Sequence, residues 1–250
     1  ISFVPQVGVL LAAVGRGWSL TPVPLEYTLE FFRQVSFETP KFIINSLVFC
    51  AIAVALCIAI GVPMAWIMAR TKAPGRGAMD ALTTLMLAIP GTAVGIAFVR
   101  AFNFQLPFSE ESLTSLWIIL PLVLAVRRLP YTVRGSYSSL LLVHKSMEEA
   151  AENVGATKLR TFWDITVPLV WKGIFVGALF SFITSIQEAS ATIFLTLGGY
   201  EMMPYAIFSF YIAGSQSQAA ALGVILIVLC AASLWVVNRV AGTRVGGLFG

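Results

Sequence analysis

The chain has 250 residues, of which 58% are hydrophobic and only 11% are charged, and its formal net charge is +4. An ordinary soluble domain carries roughly 25% charged residues, so a soluble protein of this composition would have too little polar surface to stay in water. The composition excludes a disordered chain, a coiled coil, a disulfide scaffold and a free nucleic-acid-binding domain. It indicates a protein that crosses a membrane several times.

Six apolar segments, taken in chain order, predict an all-α membrane protein with about six transmembrane helices, because a helix needs about 20 apolar residues to cross the hydrocarbon core. The first segment is too short to span. Because the chain begins with Ile1 and not Met, we expect that the upstream part of this segment has been cut away. In the second segment, the Thr39 hydroxyl followed by Pro40 predicts the helix start, and in the third, Pro90 and Gly91 predict a kink. The segments are 1–14, 41–69, 79–102, 113–130, 167–186 and 219–237.

The signs of the loop charges predict the orientation. Lys and Arg concentrate in the segments 70–78 and 127–172 and after the last predicted span, whereas the alternate loops hold more Glu than basic residues. Basic loops lie on the cytoplasmic side of a membrane, so we expect both chain ends to be cytoplasmic. Segment 131–166 is then a cytoplasmic loop of about 36 residues, and so long a loop in a compact membrane protein usually has a partner.

One motif in this loop carries the functional prediction. Its fixed residues are Glu149, Ala150 and Ala151, then Gly155, then Ile165, Val167 and Pro168. The pattern resembles the EAA loop of ABC importer permeases, E-A-A-x3-G-x9-I-x-L-P, with Val167 in place of Leu as its one departure. The alternative is a solvated amphipathic loop that merely joins two spans, and the spacing match disfavours it.

The local physical chemistry agrees with such a loop. Residues 146–153 predict a short helix with a capping-like start, in which Ser146 is followed three residues later by Glu149. Gly155 permits the positive φ of a sharp turn. A second short helix over 157–165 then returns the chain to the membrane. Pro168 falls in the first turn of the next span, where proline costs little.

The resemblance extends over nearly the whole chain from the second span onward. Residues 45–47 (Asn-Ser-Leu), 89–92 (Ile-Pro-Gly-Thr) and Glu188 resemble features of the binding-protein-dependent permease domain, which has the MetI-like fold. They look most like its branch for ferric iron, polyamines, thiamine or phosphonates. The resemblance implies that residues 1–250 form a single permease domain with a truncated first span, or the second half of a fused double permease. It also implies a multi-pass protein of a bacterial or archaeal cytoplasmic (inner) membrane.

In that family the EAA loop docks on a cytoplasmic ABC ATPase dimer, which carries the ATP and Mg²⁺, so no cofactor is expected in this chain. By resemblance, Glu149, Ala150, Ala151 and Gly155 make the docking contact, and Ile165 and Pro168 anchor the loop at the membrane. The other implied partners are a second permease domain (a copy, a paralogue or a fused half), a periplasmic or extracellular substrate-binding protein and membrane lipid, but no nucleic acid. Ferric iron is the first substrate expected, with polyamine, phosphonate or thiamine as alternatives.

Five residues are candidates for the translocation pathway or the interface between permease domains. Glu188 is an ionisable residue at membrane depth, and Ser185 and Gln187 make the same stretch polar. Pro90 and Gly91 are included because a loosened helix can gate a pathway, although such a feature serves packing equally well. The alternative for Glu188 is a place at the external mouth or a structural pairing with a neighbouring basic residue.

Catalytic signatures are absent from the sequence, which contains no G-x-x-x-x-G-K-[ST], no H-E-x-x-H and no G-x-S-x-G. Cys50, Cys57 and Cys230 lie in apolar runs without the spacing of metal ligands, so no metal site is expected. We therefore expect a transport subunit and not an enzyme, with ATP hydrolysed by a partner. The alternative classes are an integral-membrane enzyme and an ion-driven carrier or channel, and the EAA spacing disfavours both.

Overall fold

The structure, a computed structural model, describes residues 3–19, 23–104 and 112–241. Its regular structure is almost entirely helical, apart from an antiparallel ribbon in which β1 (Gly15–Arg16) pairs with β2 (Glu26–Tyr27). The predicted all-α fold class is confirmed. The α-helices are α1 (Val4–Val14), α2 (Glu30–Arg33), α3 (Lys41–Arg70), α4 (Arg76–Ala88), α5 (Gly91–Phe102), α6 (Ile119–Leu142), α7 (Ser146–Asn153), α8 (Lys158–Thr161), α9 (Val167–Ile186), α10 (Met203–Ile212) and α11 (Gln216–Ala241). Two π-helical turns lie at Gln34–Glu38 and Phe162–Thr166, and 3₁₀ turns lie at Leu113–Ser115 and Thr192–Phe194.

Three helices in the described part of the chain are long and apolar enough to cross a membrane, namely Lys41–Arg70, Lys158–Ile186 and Gln216–Val240. The pair α4 and α5 makes a fourth if a broken pair counts as one span. These helices correspond to the second, fifth, sixth and third predicted segments. The first predicted segment contains α1, which is apolar but only 11 residues long.

The third predicted segment forms two helices where one kinked helix was expected. α4 ends at Ala88, Ile89 is extended with φ −77° and ψ 127°, and α5 begins at Gly91. Pro90 accounts for the break, because proline has no N–H to bond the preceding turn and pushes the residue before it out of the helical region. The sequence pattern therefore locates the discontinuity correctly but underestimates its extent.

The fourth predicted segment, 113–130, has the wrong boundaries. Residues Leu113–Ser115 form only a 3₁₀ turn, and α6 begins at Ile119 and continues through Pro130 to Leu142. Pro130 removes one backbone hydrogen bond, a loss that neighbouring helices and polar side chains can offset in a packed membrane bundle. Residues 131–142 of the predicted loop are consequently helical.

The chain divides into two compact units, which are described separately. The first comprises Ile1–Cys50, Gly91–Val123 and Ile186–Ala232, and the second comprises Ala51–Pro90, Leu124–Ser185 and Ser233–Gly250. Long helices such as α3 contribute residues to both units. The buried side chains of the first unit include Ile119, Leu120, Met202, Met203 and Leu222.

In the first unit, the beginning of α3 holds the chain segment that precedes α10. Ser46 is fully buried, and its hydroxyl accepts a 2.7 Å hydrogen bond from the N–H of Met203. The side-chain amide of Asn45 donates to the carbonyls of Gly199 at 3.0 Å and Glu201 at 3.2 Å. Two polar residues noted in the sequence therefore fix a loop more than 150 residues further along the chain.

An ion pair also joins the start of α3 to the loop that precedes α10. Lys41 Nζ lies 3.1 Å from the carboxylate of Glu201. Partial burial acts to raise the pKa of Glu201, but backbone N–H groups of Gly199 and Glu201 and the Lys41 ammonium outweigh it, so that this pKa lies below its ordinary value of 4.5. The Thr39 hydroxyl, predicted to cap α3, donates to the carbonyl of Gln34 at 3.3 Å.

In the second unit, a hydrophobic cluster joins α3, α6 and α9 to the π turn Phe162–Thr166. The T-shaped contact of Trp66 with Phe162, with ring centroids 5.7 Å apart, ties the π turn to α3. The buried members of the cluster are Val62, Ala65, Met68, Val133, Leu140, Phe162, Val170 and Ile174.

Helices α6 and α9 approach each other through glycines. A Cβ atom at Gly135 would lie 2.8 Å from the carbonyl oxygen of Gly173, and one at Gly177 would lie 2.8 Å from that of Tyr131 and 3.0 Å from the Cα of Thr132. Only residues without a side chain allow backbones this close, as in the small-xxx-small contacts of membrane helices. One turn beyond Gly177, buried hydroxyls of Thr132 and Ser181 are hydrogen-bonded at 2.9 Å.

Candidate functional site

The candidate site is the EAA segment, which we define as residues 146–168. Its first helix, α7, has the predicted bounds, Ser146–Asn153. The predicted capping interaction of Ser146 with Glu149 is not formed, because the helix is already entered at Lys145. Ser146 thus lies in the first turn, and its hydroxyl is bonded to Nδ1 of His144 at 2.9 Å.

The turn that follows α7 is a Schellman motif. Gly155 has φ +94°, and its N–H donates to the carbonyl of Glu152 while that of Ala156 donates to Ala151, both at 3.0 Å. A Cβ atom at Gly155 would meet nothing within 4 Å. The left-handed backbone, and not a lack of space, therefore requires glycine at this position, which confirms the predicted turn.

The second limb differs from the prediction. Thr157 caps α8, its hydroxyl accepting the N–H of Arg160 at 3.3 Å. Helix α8 then continues without a break through the π turn into α9, so the predicted separate helix over 157–165 is wrong. At the end of the π turn the N–H of Val167 bonds the carbonyl of Phe162. Pro168, which has no N–H for the preceding turn, thus follows a widened turn instead of starting a new helix.

The two faces of α7 differ in burial. Glu148 and Ala151 are buried, whereas Glu149, Ala150 and Gly155 are exposed. The exposed surface of α7 therefore carries acidic and small residues, together with Met147, which is 48% exposed. The two apolar side chains that flank α7, Leu142 and Val154, are 88% and 86% exposed. Of the residues predicted to anchor the segment, Ile165 is half-buried and Pro168 is exposed.

A buried polar network holds the inward face of α7 against the ends of the neighbouring helices. Arg70, the last residue of α3, places Nε 2.9 Å from Oε1 of Glu148, and these side chains are only 6% and 11% exposed. The other end of the guanidinium donates to the carbonyl of Val143 at 2.8 Å. The Thr166 hydroxyl donates to the same Glu148 oxygen at 3.1 Å. The sequence reasoning missed this network. The spacing of Glu148 and Ala151 puts them on one helix face, but nothing in the sequence identifies Arg70, 78 residues earlier, as the partner of Glu148.

Glu188, predicted at membrane depth, is only 4% exposed and follows the end of α9. Its Oε1 accepts hydrogen bonds from the hydroxyl of Ser190 at 2.5 Å and the N–H of Ala191 at 3.1 Å. A Cβ atom at Gly95 would lie 2.7 Å from the carbonyl oxygen of Ala191, so α5 runs close to the same turn. Gly91, the first residue of α5, is buried.

The remaining pathway candidates have separate surroundings. Gln187 is exposed, and its amide donates to Sγ of Cys230 at 3.1 Å. Ser185 is fully buried at the end of the second unit, and Pro90 lies in the break before α5. Within the ranges that the structure covers, no three His, Cys, Asp or Glu side chains are grouped so that they could hold a metal ion.

The fold and the segment define a class of protein, a multi-pass helical membrane protein with a surface helix–turn–helix between its membrane helices. Residues 61–243 match the family described as "Binding-protein-dependent transport system inner membrane component". This match covers well over half of the chain, and the chain belongs to this family. The family resemblance stated from the sequence is therefore confirmed.

Curated relatives agree on the class and differ in cargo. The chain is 28% identical to the ferric transport system permease protein FbpB of Actinobacillus pleuropneumoniae. The match covers 88% of this chain but only 31% of the length of FbpB. It is 30% identical to the molybdenum transport system permease protein ModB of Escherichia coli, covering 82% of this chain and 95% of ModB. The sulfate transport system permease protein CysT of Salmonella typhimurium is 30% identical over 54% of the chain and 51% of its own length. The family match and the names of these relatives, which are all permease proteins, agree with the predicted transport subunit.

Solved structures show the fold. A bacterial alginate ABC transporter in complex with an alginate pentasaccharide-bound periplasmic protein matches 94% of this chain and 86% of its own, with TM-score 0.69 and 15% identity. The inward-facing MetNI methionine ABC transporter matches 82% and 96%, with TM-score 0.63 and 17% identity. The predicted MetI-like architecture is therefore confirmed.

Proposed function

We propose that this chain is the permease domain of an ABC importer and that its EAA segment docks on a separate cytoplasmic ATPase. The observation that carries the proposal is the outward face of α7, where Glu149 and Ala150 are exposed beside the fixed turn at Gly155. Small and acidic residues on an exposed helix face suit insertion into a groove of another protein. Ala151 is buried, so its role is to let α7 lie close to the helices beneath it.

The orientation follows from charge. Basic residues lie at the end of α3 (Arg70), directly before the EAA segment (Lys145) and within it (Lys158 and Arg160), and basic residues are retained on the cytoplasmic side. We therefore assign the segment and both chain ends to the cytoplasm. Residues 1–250 are assigned to a single permease domain, in which the EAA segment faces the ATPase, whereas residues 131–142 of the predicted loop belong to α6.

The translocation pathway, or the interface with a second permease domain, is assigned to Ser185, Gln187, Glu188, Pro90 and Gly91. Two features support this assignment. Glu188 is a buried carboxyl group beside the close approach of Gly95, and intramembrane ionisable groups mark pathways and contacts by default. The break at Pro90 supplies irregular backbone, which at membrane depth is tolerated where it is covered by protein or lines a cavity.

Ferric iron is the first substrate that we propose, delivered by an external binding protein. The ferric permease relative supports it. The molybdenum relative, which this chain covers almost completely, favours an oxyanion as the second candidate. Calorimetric titration of the binding protein encoded beside this gene, first with ferric iron and then with molybdate, decides between them.

The docking assignment is tested by co-purification of the ATPase with this chain from membranes. We expect Glu149→Lys, an exposed charge reversal, to lower the retained ATPase about 10-fold, which corresponds to about 1.4 kcal/mol. Gly155→Pro should do the same because proline cannot adopt the φ of +94° found there. Glu26→Lys, an exposed acid on β2 in the first unit, is the matched control. Unchanged ATPase retention and uptake in both EAA variants would refute the assignment.

A further inference from the structure

We propose that the Arg70–Glu148 ion pair is the joint through which movement of α7 reaches the membrane helices, so that both are positioning residues for coupling. The inference rests on the proposed function, because it requires that the ATPase moves α7. Neither residue belongs to the EAA pattern. Glu148 precedes that pattern by one position and points away from the exposed face that the pattern occupies.

The burial of α7 shows why a joint is needed. Among the residues of this helix, only Glu148 and Ala151 are buried. Ala151 has a single methyl group, which makes few contacts with the neighbouring helices and so transmits little of a movement of α7. A movement of α7 is therefore transmitted mainly by the side chain of Glu148 and by the chain at the two ends of the helix.

The network joins the ends of three helices. Arg70 ends α3, Val143 directly follows α6, and Thr166 ends the π turn that leads into α9. Glu148 Oε1 receives both the Arg70 Nε–H at 2.9 Å and the Thr166 hydroxyl at 3.1 Å. A displacement of Glu148 therefore changes the hydrogen bonds of α3 and α9 together. Through the 2.8 Å bond from Arg70 to Val143, it also acts on the end of α6.

The chemistry of the Arg70–Glu148 pair suits the transmission of movement from one helix to another. A guanidinium is planar and offers donors at fixed angles, so that the bonds to Glu148 and Val143 define a direction as well as a distance. Water and salt screen such a buried pair much less than an exposed one. The Arg160–Asp164 pair on the second limb provides the contrast, because its separation is a similar 3.2 Å but its side chains are 75% and 61% exposed.

The experiment uses the complete transporter in proteoliposomes, with its ATPase, its second permease domain and its binding protein loaded with ferric iron or molybdate. The variants are Glu148→Gln, which removes the charge at constant shape, and Thr166→Val, which removes the hydroxyl that donates to Glu148 and, at 3.4 Å, to the carbonyl of Thr161. Arg70→Lys keeps the charge but loses the planar fork. Glu38→Gln, which breaks the exposed Arg33–Glu38 pair of the first unit at the same separation of 3.2 Å, is the matched control. Three quantities are measured: ATPase retained, basal ATP hydrolysis, and its stimulation by the loaded binding protein.

We expect Glu148→Gln to retain the ATPase and the basal rate and to lose stimulation about 5-fold or more, the lower end of coupling between two sites. Arg70→Lys and Thr166→Val should lose less, in the same direction, and Glu38→Gln should be unchanged. Wild-type stimulation in Glu148→Gln would overturn the inference. So would a loss of ATPase retention in proportion to stimulation, since that indicates a merely structural role. A wild-type chain that retains no ATPase would refute the proposed function and with it the inference.

Discussion

The contact between α6 and α9 allows a quantitative test with one methyl group. In Gly177→Ala, the added Cβ would lie 2.8 Å from the carbonyl oxygen of Tyr131 and 3.0 Å from the Cα of Thr132. Both neighbours are backbone atoms of α6, so they cannot move aside as the end of a side chain could. The two helices must therefore separate by a few tenths of an ångström, at a site where the Thr132–Ser181 hydrogen bond lies only one turn away.

The magnitude follows from two opposing effects. Overpacking a well-packed contact typically costs about 1–3 kcal/mol. Replacing glycine by alanine inside a helix returns up to about 1 kcal/mol through helix propensity. Gly8→Ala in α1 isolates the second effect, because a Cβ atom there would meet nothing within 4 Å. The difference between the two identical substitutions should thus be about 1–3 kcal/mol in the free energy of unfolding.

The assay is thermal unfolding of the purified chain in one detergent, followed by tryptophan fluorescence. One kcal/mol shifts the midpoint of a domain of this size by about 2–4 °C. We expect Gly177→Ala to unfold at a lower temperature than wild type and Gly8→Ala at the same temperature or higher. Equal midpoints for the two variants would refute the conclusion that backbone contact at Gly177 holds α6 against α9.

Two further predictions concern the first unit. Ser46→Ala leaves the buried N–H of Met203 without its acceptor, so we expect a loss of about 1–3 kcal/mol in unfolding free energy, measured by thermal unfolding with the exposed Ser209→Ala as control. Equal midpoints would contradict the role of Ser46. The lowered pKa of Glu201 stabilises the folded chain above the ordinary value of 4.5, and this contribution disappears as the pH falls through the folded-state value. Wild type should therefore exceed Glu201→Gln in melting temperature at pH 7 and converge with it on acidification, whereas a constant difference at all pH values would show that the ionised carboxylate of Glu201 is not the cause.

The sequence was most informative where structure depends on neighbouring residues. The bounds of α7 follow from a run of good helix formers, and its end follows from Gly155, whose positive φ needs no tertiary contact to explain it. The apolar runs of α3 and α11 were equally readable, because the length of an apolar run decides whether a helix can span a membrane.

The sequence was least informative where the partner lies far along the chain. Arg70 and Glu148 are separated by 78 residues, and no periodicity in either helix identifies the other. The glycines of α6 and α9 become meaningful only when their backbones are seen together. The end of α6 was misplaced for a related reason. Pro130 predicts a stop from local hydrogen bonding, but in a packed membrane bundle its surroundings offset the missing bond.

The π turn Phe162–Thr166 has a practical consequence for mapping the EAA segment by cysteine labelling. A π turn takes one residue more than the α turn that it replaces, so the faces of α8 and α9 are offset by about 100°. A helical wheel drawn continuously from Lys158 would therefore assign labelled positions after Thr166 to the wrong side. Wheels should be indexed separately on each side of the turn. Deleting one residue within 162–164 would bring the two wheels into register, while shortening the interval of nine residues between Gly155 and Ile165 in the EAA pattern.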